Sequence, residues 1–361
     1  MPDAPATLPN AQFWRGRRVL ITGHTGFKGG WLALWLKLMG AEVTGYALPP
    51  EHGDGIFAAA AVGAGMTPVT GDIRDHSRLR ECLLLMRPEI VFHLAAQALV
   101  RRAHRDPLTT YATNVTGTAK VLEAIRSVSF VRSVVIVTSD KVYENHGEDR
   151  PFREDDRLGG VEPYGVSKAS AEMVTGAFRQ SLGNNLPAVA TARAGNVIGG
   201  GDWGEDRLIP DAIRAFRHGV ALEVRNPAST RPWQHVLDPL SGYLLLAERL
   251  TQGEAKWRSA WNFGGEESVS VKDLADRLTE HWNGASGSPT AAWIAIPETG
   301  APYEARALRL DSSKALAELG WRRRLPLAQA VEWTADWYIH QARGTPMDGP
   351  SMAMIDAYMR S

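Results

Sequence analysis

The sequence predicts an α/β fold: a doubly wound, parallel Rossmann-type sheet with a smaller α+β C-terminal lobe. Three observations predict it. A short apolar strand, Arg17 to Thr22, runs into a glycine-rich turn, Gly23-His-Thr-Gly26-Phe-Lys-Gly29, and then into a helix. Strand and helix patterns alternate from there to Asn196. The strands end at Gly23, Asp72, Ala95, Ser139 and Asn196, and such sheets gather their active groups at carboxyl ends of strands.

The first helix continues to about Met39 and is closed by Gly40. Its run Trp31-Leu-Ala-Leu-Trp-Leu36 falls far short of the roughly 20 residues a membrane span needs, so it reads as a buried helix. Glu42 to Leu48 is the second strand, Met66 to Ile73 the third and Glu89 to Ala96 the fourth, with a helix over Arg74 to Met86 between the last two. A long helix is expected over Asp106 to Arg126. The strand starting at Val135, a helix from Tyr164 to Leu182 and a strand from Ala188 to Gly195 follow. Beyond Asn196 the pattern loosens. Helices are expected over Ile209–His218, Leu237–Leu250, Ser270–Trp282, Ser312–Leu319 (closed by Gly320) and Leu327–Arg343, and strands over Trp261–Phe263 and Leu308–Asp311. The expected division is residues 1–196 with a return segment near 234–262 as the dinucleotide domain, and 197–233 with 263–361 as the substrate lobe. The tail beyond Gly344 is left without an assigned element.

Lys plus Arg and Asp plus Glu both number 40 in 361 residues. That balance offers no long-range steering toward nucleic acid or an anionic membrane, so any phosphate recognition must be local. With Cys82 the only cysteine, no internal disulfide can form, and a reducing, cytoplasmic setting is expected. Cys82 reads as a helix packing residue. Met1 to Gln12 lacks the basic and apolar regions of a signal peptide. No His/Cys/Asp spacing suggests a metal.

Chemistry is concentrated in two places. Val135-Ile-Val-Thr-Ser-Asp-Lys141 delivers three polar side chains at the end of a buried strand. Tyr164 and Lys168, four residues apart, share a helix face, where an ammonium would favour the phenolate needed to take a proton from an alcohol. The glycine turn, set between strand and helix, suits a pyrophosphate held by backbone N–H groups; a merely tight structural turn is the alternative. After the second strand, Tyr46-Ala-Leu-Pro-Pro50 offers no acidic residue for ribose hydroxyls and no arginine for a 2′-phosphate. NAD is thus favoured over NADP, and loose binding is expected.

With these motifs in hand, the chain resembles the extended short-chain dehydrogenase/reductase superfamily from Phe13 to about Tyr338. Thr138-Ser-Asp-Lys141, Arg193-Ala-Gly-Asn-Val-Ile-Gly-Gly-Gly-Asp-Trp203, Arg207-Leu-Ile-Pro-Asp211 and Arg231-Pro-Trp-Gln-His-Val236 are similar to its nucleotide-sugar 4,6-dehydratase branch. The resemblance implies NAD as cofactor, CDP-glucose or a related nucleotide sugar as substrate, and an internal cycle in which hydride leaves C4 and returns at C6. It implies a cofactor site of Gly23, Thr25, Gly26, Phe27, Lys28 and Gly29, joined by Asp72 and Ile73, by Leu94, Ala95, Ala96 and Gln97, and by Asn114, Thr138, Tyr164 and Lys168. Ser139, Asp140 and Lys141 complete the catalytic set. Asp140 is expected as the acid at O6, Lys141 as the base at C5 and Ser139 as a hydrogen-bonding partner of the C4 oxygen. Lys141 must be neutral to act so, which burial and a neighbouring cation such as Lys168 would favour. Asn196, Arg207, Leu208, Arg231 and Glu304 are the implied substrate contacts, with the two arginines on the pyrophosphate. Val161 and Gly165 depart from the residues usual in the branch. Relatives pair the helices at 106–126 and 164–182 across a dimer, so a homodimer is expected. An epimerase or reductase, needing Tyr164 and Lys168 but not Asp140 and Lys141, stays open, as does a non-catalytic NAD(H) sensor.

Overall fold

The computed structural model describes residues 7–147, 150–265, 267–287, 290–296 and 308–360. Among the described residues, seven strands form one all-parallel sheet: β1 (Arg18–Thr22), β2 (Glu42–Ala47), β3 (Thr67–Thr70), β4 (Ile90–His93), β5 (Ser133–Val137), β6 (Ala188–Ala194) and β7 (Ala260–Phe263). Their spatial order is β7-β6-β5-β4-β1-β2-β3. The winding reverses between β1 and β4, where Thr22 pairs with His93, so a crevice opens beyond those carboxyl ends. Every residue of β5 and β6 is buried, as expected of central parallel strands covered on both faces. The helical layers are led by α1 (Phe27–Leu38), α2 (His76–Met86), α3 (Thr118–Arg126) and α4 (Pro163–Leu182).

In α1, Gly29 to Leu36 are all buried, because the helix is covered on more than one side. One cover is an element the sequence reading left unassigned. After α5 (Leu208–Arg217), α6 (Leu237–Thr251), α7 (Val271–Ser286) and α8 (Leu327–Ala342), the tail forms α9 (Asp348–Arg360). Its Tyr358 meets Trp35 edge-to-face at 5.3 Å. Mixed Met, Gly and Ser residues give α9 no clean stripe, and its docking partners, Trp35 and Asp238 among them, are distant in sequence.

Other differences are local. The helix expected over 106–126 is a short helix, Pro107–Tyr111, a π turn over Ala112–Gly117, and then α3. A Cβ on Gly117 would stand 2.7 Å from Ile73 Cδ1, so the wide turn packs directly onto the segment that follows β3. The expected strand Leu308–Asp311 reduces to one bridge between Leu310 and Phe152. The helix before Gly320 closes as a π turn, Ala315–Leu319, with Gly320 in the left-handed region at φ +67° as its cap. Cys82 is buried in α2, and burial pushes its thiol up to about 11, which suits packing.

Asp238, at the start of α6, is fully buried and ties the C-terminal elements together. Its Oδ1 accepts from Arg324 N at 2.8 Å and from the Tyr358 hydroxyl at 3.0 Å, while Oδ2 has no partner. Burial pushes the carboxyl up to about 6, against the usual 3.8. The folded state thus binds the proton more tightly than the unfolded chain, and stability falls as pH rises from about 4 to about 6. Asp238→Asn keeps the Oδ1 acceptor and removes the buried charge. It should raise the melting temperature by a few degrees at pH 8 (about 2 to 3 kcal/mol) and by much less at pH 4, by differential scanning calorimetry. An equal change at both pH values would contradict this.

Candidate functional site

The glycine turn is built for close approach. Gly23 sits at φ +81°, and a Cβ there would meet Ala95 N at 2.7 Å. A Cβ on Gly29 would stand 2.1 Å from the Gly23 carbonyl. Gly26 is the N-cap of α1 and has no side chain, so the first amides of the helix face outward. Such a cradle fits a pyrophosphate. Thr25 braces the turn by donating to the Leu48 carbonyl at 2.9 Å, and half-buried Phe27 closes it toward Gly199. His24, which sequence reasoning passed over, fills the space above Gly45, where a Cβ would meet its ring at 2.3 Å. Burial lowers that imidazole to about 4.

The other residues expected around a dinucleotide lie along the same crevice. Leu94 N donates to the Thr22 carbonyl, and Ala95 N to the Thr22 hydroxyl. Ala96 follows directly. Buried Asn114 accepts from Gln97 N at 2.8 Å and donates to the Gln97 carbonyl and to Ser167 Oγ, both at 2.9 Å. The π turn delivers this side chain to α4. Asp72 is occupied by Arg74, which binds it at 2.6 Å and holds its carboxyl below the usual range. Ile73 turns its side chain into the core. His93, between the Thr22 and Thr118 hydroxyls, is pushed by burial to about 3 and is a neutral packing residue.

The catalytic candidates converge at the ends of β5 and α4. β5 stops at Val137, and Asp140–Val142 form a 3-10 turn, so the alternation of an ideal strand does not separate Asp140 from Lys141. Ser139 caps that turn: its hydroxyl accepts from Lys141 N at 3.2 Å and donates to Asp140 Oδ1 at 2.9 Å. Asp140 is 4% exposed and its Oδ2 has no partner. Burial raises its carboxyl, opposed by the charge of Lys141, the Ser139 bond, and the charges of Lys28 and Arg231. Lys28 is pushed to about 8 by burial and Arg207, against the pull of Asp140 and Asp202. It therefore belongs to this electrostatic cluster as well as to the glycine turn.

Tyr164 begins α4, with Pro163 at the first position and Glu162 as cap; the Glu162 carboxylate accepts from Tyr164 N at 2.7 Å and Gly165 N at 2.8 Å. Pro163 was the available sequence signal for this start. A Cβ on Gly165 would meet the Lys141 carbonyl at 2.8 Å, which explains glycine there. Val161 is exposed beside it. The expected lowering of Tyr164 by Lys168 is not what the structure sets. Burial pushes the phenol up to about 12, and the forces opposing it are a Ser139 hydrogen bond and the Arg207 charge. Lys168 donates to the Val137 carbonyl at 3.1 Å and is lowered to about 8 by burial and Lys28, against Glu172. Thr138 donates to Glu172 at 2.5 Å.

Of the expected substrate contacts, Arg207 is paired through Nη1 with Asp202 at 2.9 Å, and its charge acts on Tyr164. Arg231 is 7% exposed, donates to the Thr230 carbonyl and acts on Asp140. Asn196 follows β6, its carbonyl held by Gln234 N, and Leu208 packs on the main core. Glu304 lies outside the described residues. Among the described residues no cluster of three or more metal-ligating side chains occurs.

Sheet order, glycine cradle and the Tyr164–Lys168 pair together define an NAD-dependent enzyme of the extended short-chain dehydrogenase/reductase type. Residues 20–334 match the GDP-mannose 4,6 dehydratase family, and the chain belongs to it. It is 44% identical over 357 residues to a CDP-glucose 4,6-dehydratase of Salmonella typhimurium strain LT2, covering 96% of this chain and 97% of that protein. A dTDP-glucose 4,6-dehydratase of Xanthomonas campestris pv. campestris is 29% identical, with 89% and 92% covered. The crystal structure of DesIV, a dTDP-glucose 4,6-dehydratase from Streptomyces venezuelae with NAD and TYD bound, superposes with a TM-score of 0.76 at 26% identity, covering 91% of this chain and 98% of that one.

Gly29→Ala should weaken NAD binding at least tenfold (about 1.4 kcal/mol) by isothermal titration calorimetry, because the added methyl forces the turn apart. Unchanged affinity would mean the turn does not carry the dinucleotide.

Proposed function

We propose that the chain is a CDP-glucose 4,6-dehydratase, releasing a CDP-4-dehydro-6-deoxy-glucose and water. One observation carries the reading: a buried carboxylate with a free oxygen, Asp140 Oδ2, stands beside Lys141 and close to Tyr164, an acid and base that simple alcohol oxidation does not need. The 44% identity to the Salmonella enzyme supports CDP-glucose as the substrate.

NAD⁺, when bound in the glycine cradle, supplies the hydride acceptor and donor. Tyr164 takes the C4 hydroxyl proton, with Ser139 and the Arg207 charge favouring the phenolate. Lys141 takes the C5 proton made acidic by the 4-ketone and later returns it. Asp140, whose carboxyl is raised by burial, gives its proton to the C6 hydroxyl, which leaves as water. The proton gained from O4 balances the one Asp140 loses. Residues 1–196 with the return near 234–262 hold the cofactor, and 197–233 with 263–361 hold the sugar nucleotide, Asn196 and Arg231 among its contacts.

Leu108, 79% exposed, and Met173, 63% exposed, belong to neighbouring helical segments and support a homodimer through the expected helix pair. Among the described residues no helix is long and apolar enough to cross a membrane. The single cysteine supports a cytoplasmic setting.

The decisive assay offers CDP-, dTDP-, GDP- and UDP-hexoses with NAD⁺ and looks for loss of water by mass spectrometry. CDP-glucose should be dehydrated fastest; epimerised hexose without water loss would sink the reading. Lys141→Ala should keep nucleotide binding yet lower solvent deuterium entry at C5 by at least a hundredfold. Entry at the wild-type rate would place the base elsewhere. Leu108→Glu with Met173→Glu should yield a monomer by light scattering, and a wild type that already runs as monomer would remove the dimer.

A further inference from the structure

Glu172 stands one turn beyond Lys168 on α4, so Tyr164, Lys168 and Glu172 share a face. It is 3% exposed and belongs to none of the motifs above. Every carboxylate oxygen is engaged twice. Oε1 accepts from Thr138 Oγ1 at 2.5 Å and Arg193 Nε at 2.9 Å; Oε2 accepts from Thr191 Oγ1 at 2.6 Å and Arg193 Nη2 at 3.0 Å. Arg193, 2% exposed, continues the chain of contacts by donating from Nη1 to the Tyr143 hydroxyl at 2.7 Å. Tyr143 donates in turn to Asn262 Oδ1 at 2.7 Å, and Asn262 sits opposite Arg193 in the β6–β7 register.

We propose that Glu172 is a positioning residue for the reaction: through Thr138, Thr191 and Arg193 it fixes where Lys168 and the turn carrying Asp140 and Lys141 stand. The claim rests on the dehydratase reading above. Thr138 immediately precedes Ser139, and Tyr143 immediately follows the Asp140–Val142 turn. The network therefore grips the catalytic segment at both ends while touching none of the groups assigned to the sugar. A side chain held by two hydroxyls and a guanidinium fork has one orientation, so the segment has one place.

Glu172 also has an electrostatic part. The groups facing Lys168 are Lys28 from α1, His93 at the end of β4 and Glu172 on its own helix, with the Val137 carbonyl accepting its Nζ. His93 is neutral, and Lys28 acts against the Lys168 charge. Glu172 is thus the anion that favours it. Burial alone would raise the Glu172 carboxyl, but the Arg193 charge and the bonds from Arg193, Thr138 and Thr191 hold it below the usual range.

Glu172→Gln alone would leave Arg193 buried without an anion and could unfold the chain. The test therefore uses the neutralised pair, Glu172→Gln with Arg193→Gln. Two quantities are read: the pH dependence of kcat and KM for CDP-glucose dehydration, and the Lys168 titration by NMR of ¹³C-labelled lysine, with Lys168→Ala identifying the signal. The folded double variant should keep KM within about twofold, lose at least tenfold in kcat, and titrate Lys168 at a pH about one unit lower. Wild-type kcat and an unmoved titration would overturn the proposal and leave Glu172 a purely structural residue. Should the double variant fail to fold, Thr191→Val decides, since it removes one hydroxyl and no charge. It should lower kcat about threefold at unchanged KM, and a wild-type kcat would overturn the proposal. If the wild type dehydrates no nucleotide sugar, the assigned function fails, while the lysine titration still reads the link between Glu172 and Lys168.

Discussion

Beneath the carboxyl ends of β5 and β6, a carboxylate and a guanidinium lie almost wholly out of water. Glu172 and Arg193 join α4 to β6, Thr138 at the end of β5, and Tyr143 beyond the Asp140–Val142 turn. Desolvating such a pair costs several kcal/mol, and the attraction between them offsets that only when every remaining polar contact is made. Here the contacts are made, down to the Tyr143 hydroxyl and Asn262. The pair is weak evidence for stability and strong evidence for one fixed geometry: with either partner displaced, an uncompensated charge would stay buried.

A second constraint is backbone proximity at the switch point. Gly23 against Ala95, Gly29 against Gly23 and Gly45 against the His24 ring each leave less room than a methyl needs. These approaches bring β1, β2 and the segment after β4 together at the glycine turn. Main-chain N–H groups are fixed donors and cost no side-chain entropy, which is what a pyrophosphate site requires.

Burial sets the acid–base character of the rest. It raises Asp140 and Tyr164 and lowers Lys168 and Lys28, so every one of these groups is biased toward its neutral form. The counterweights differ: Lys141 and Arg231 for Asp140, Ser139 and Arg207 for Tyr164, Glu172 for Lys168. Close groups with opposed counterweights can pass protons at neutral pH without strong acids or bases.

The doubly wound sheet, the glycine turn and the cluster at Ser139–Lys141 and Tyr164–Lys168 were legible in the sequence, because each is written in local pattern: apolar runs ending in polar residues, glycines at a strand end, and an i,i+4 spacing. The carbonyl that holds Lys168, the phenol's upward shift, the pairing of Arg207 with Asp202 and the π turn carrying Asn114 were decided by the tertiary structure. So was α9, whose Tyr358 reaches an acid 120 residues earlier. The physical reason is common to all of them. Periodicity reports which face of an element is apolar, but desolvation and ion pairing depend on which distant side chains close over a group, and that is settled only when the layers pack.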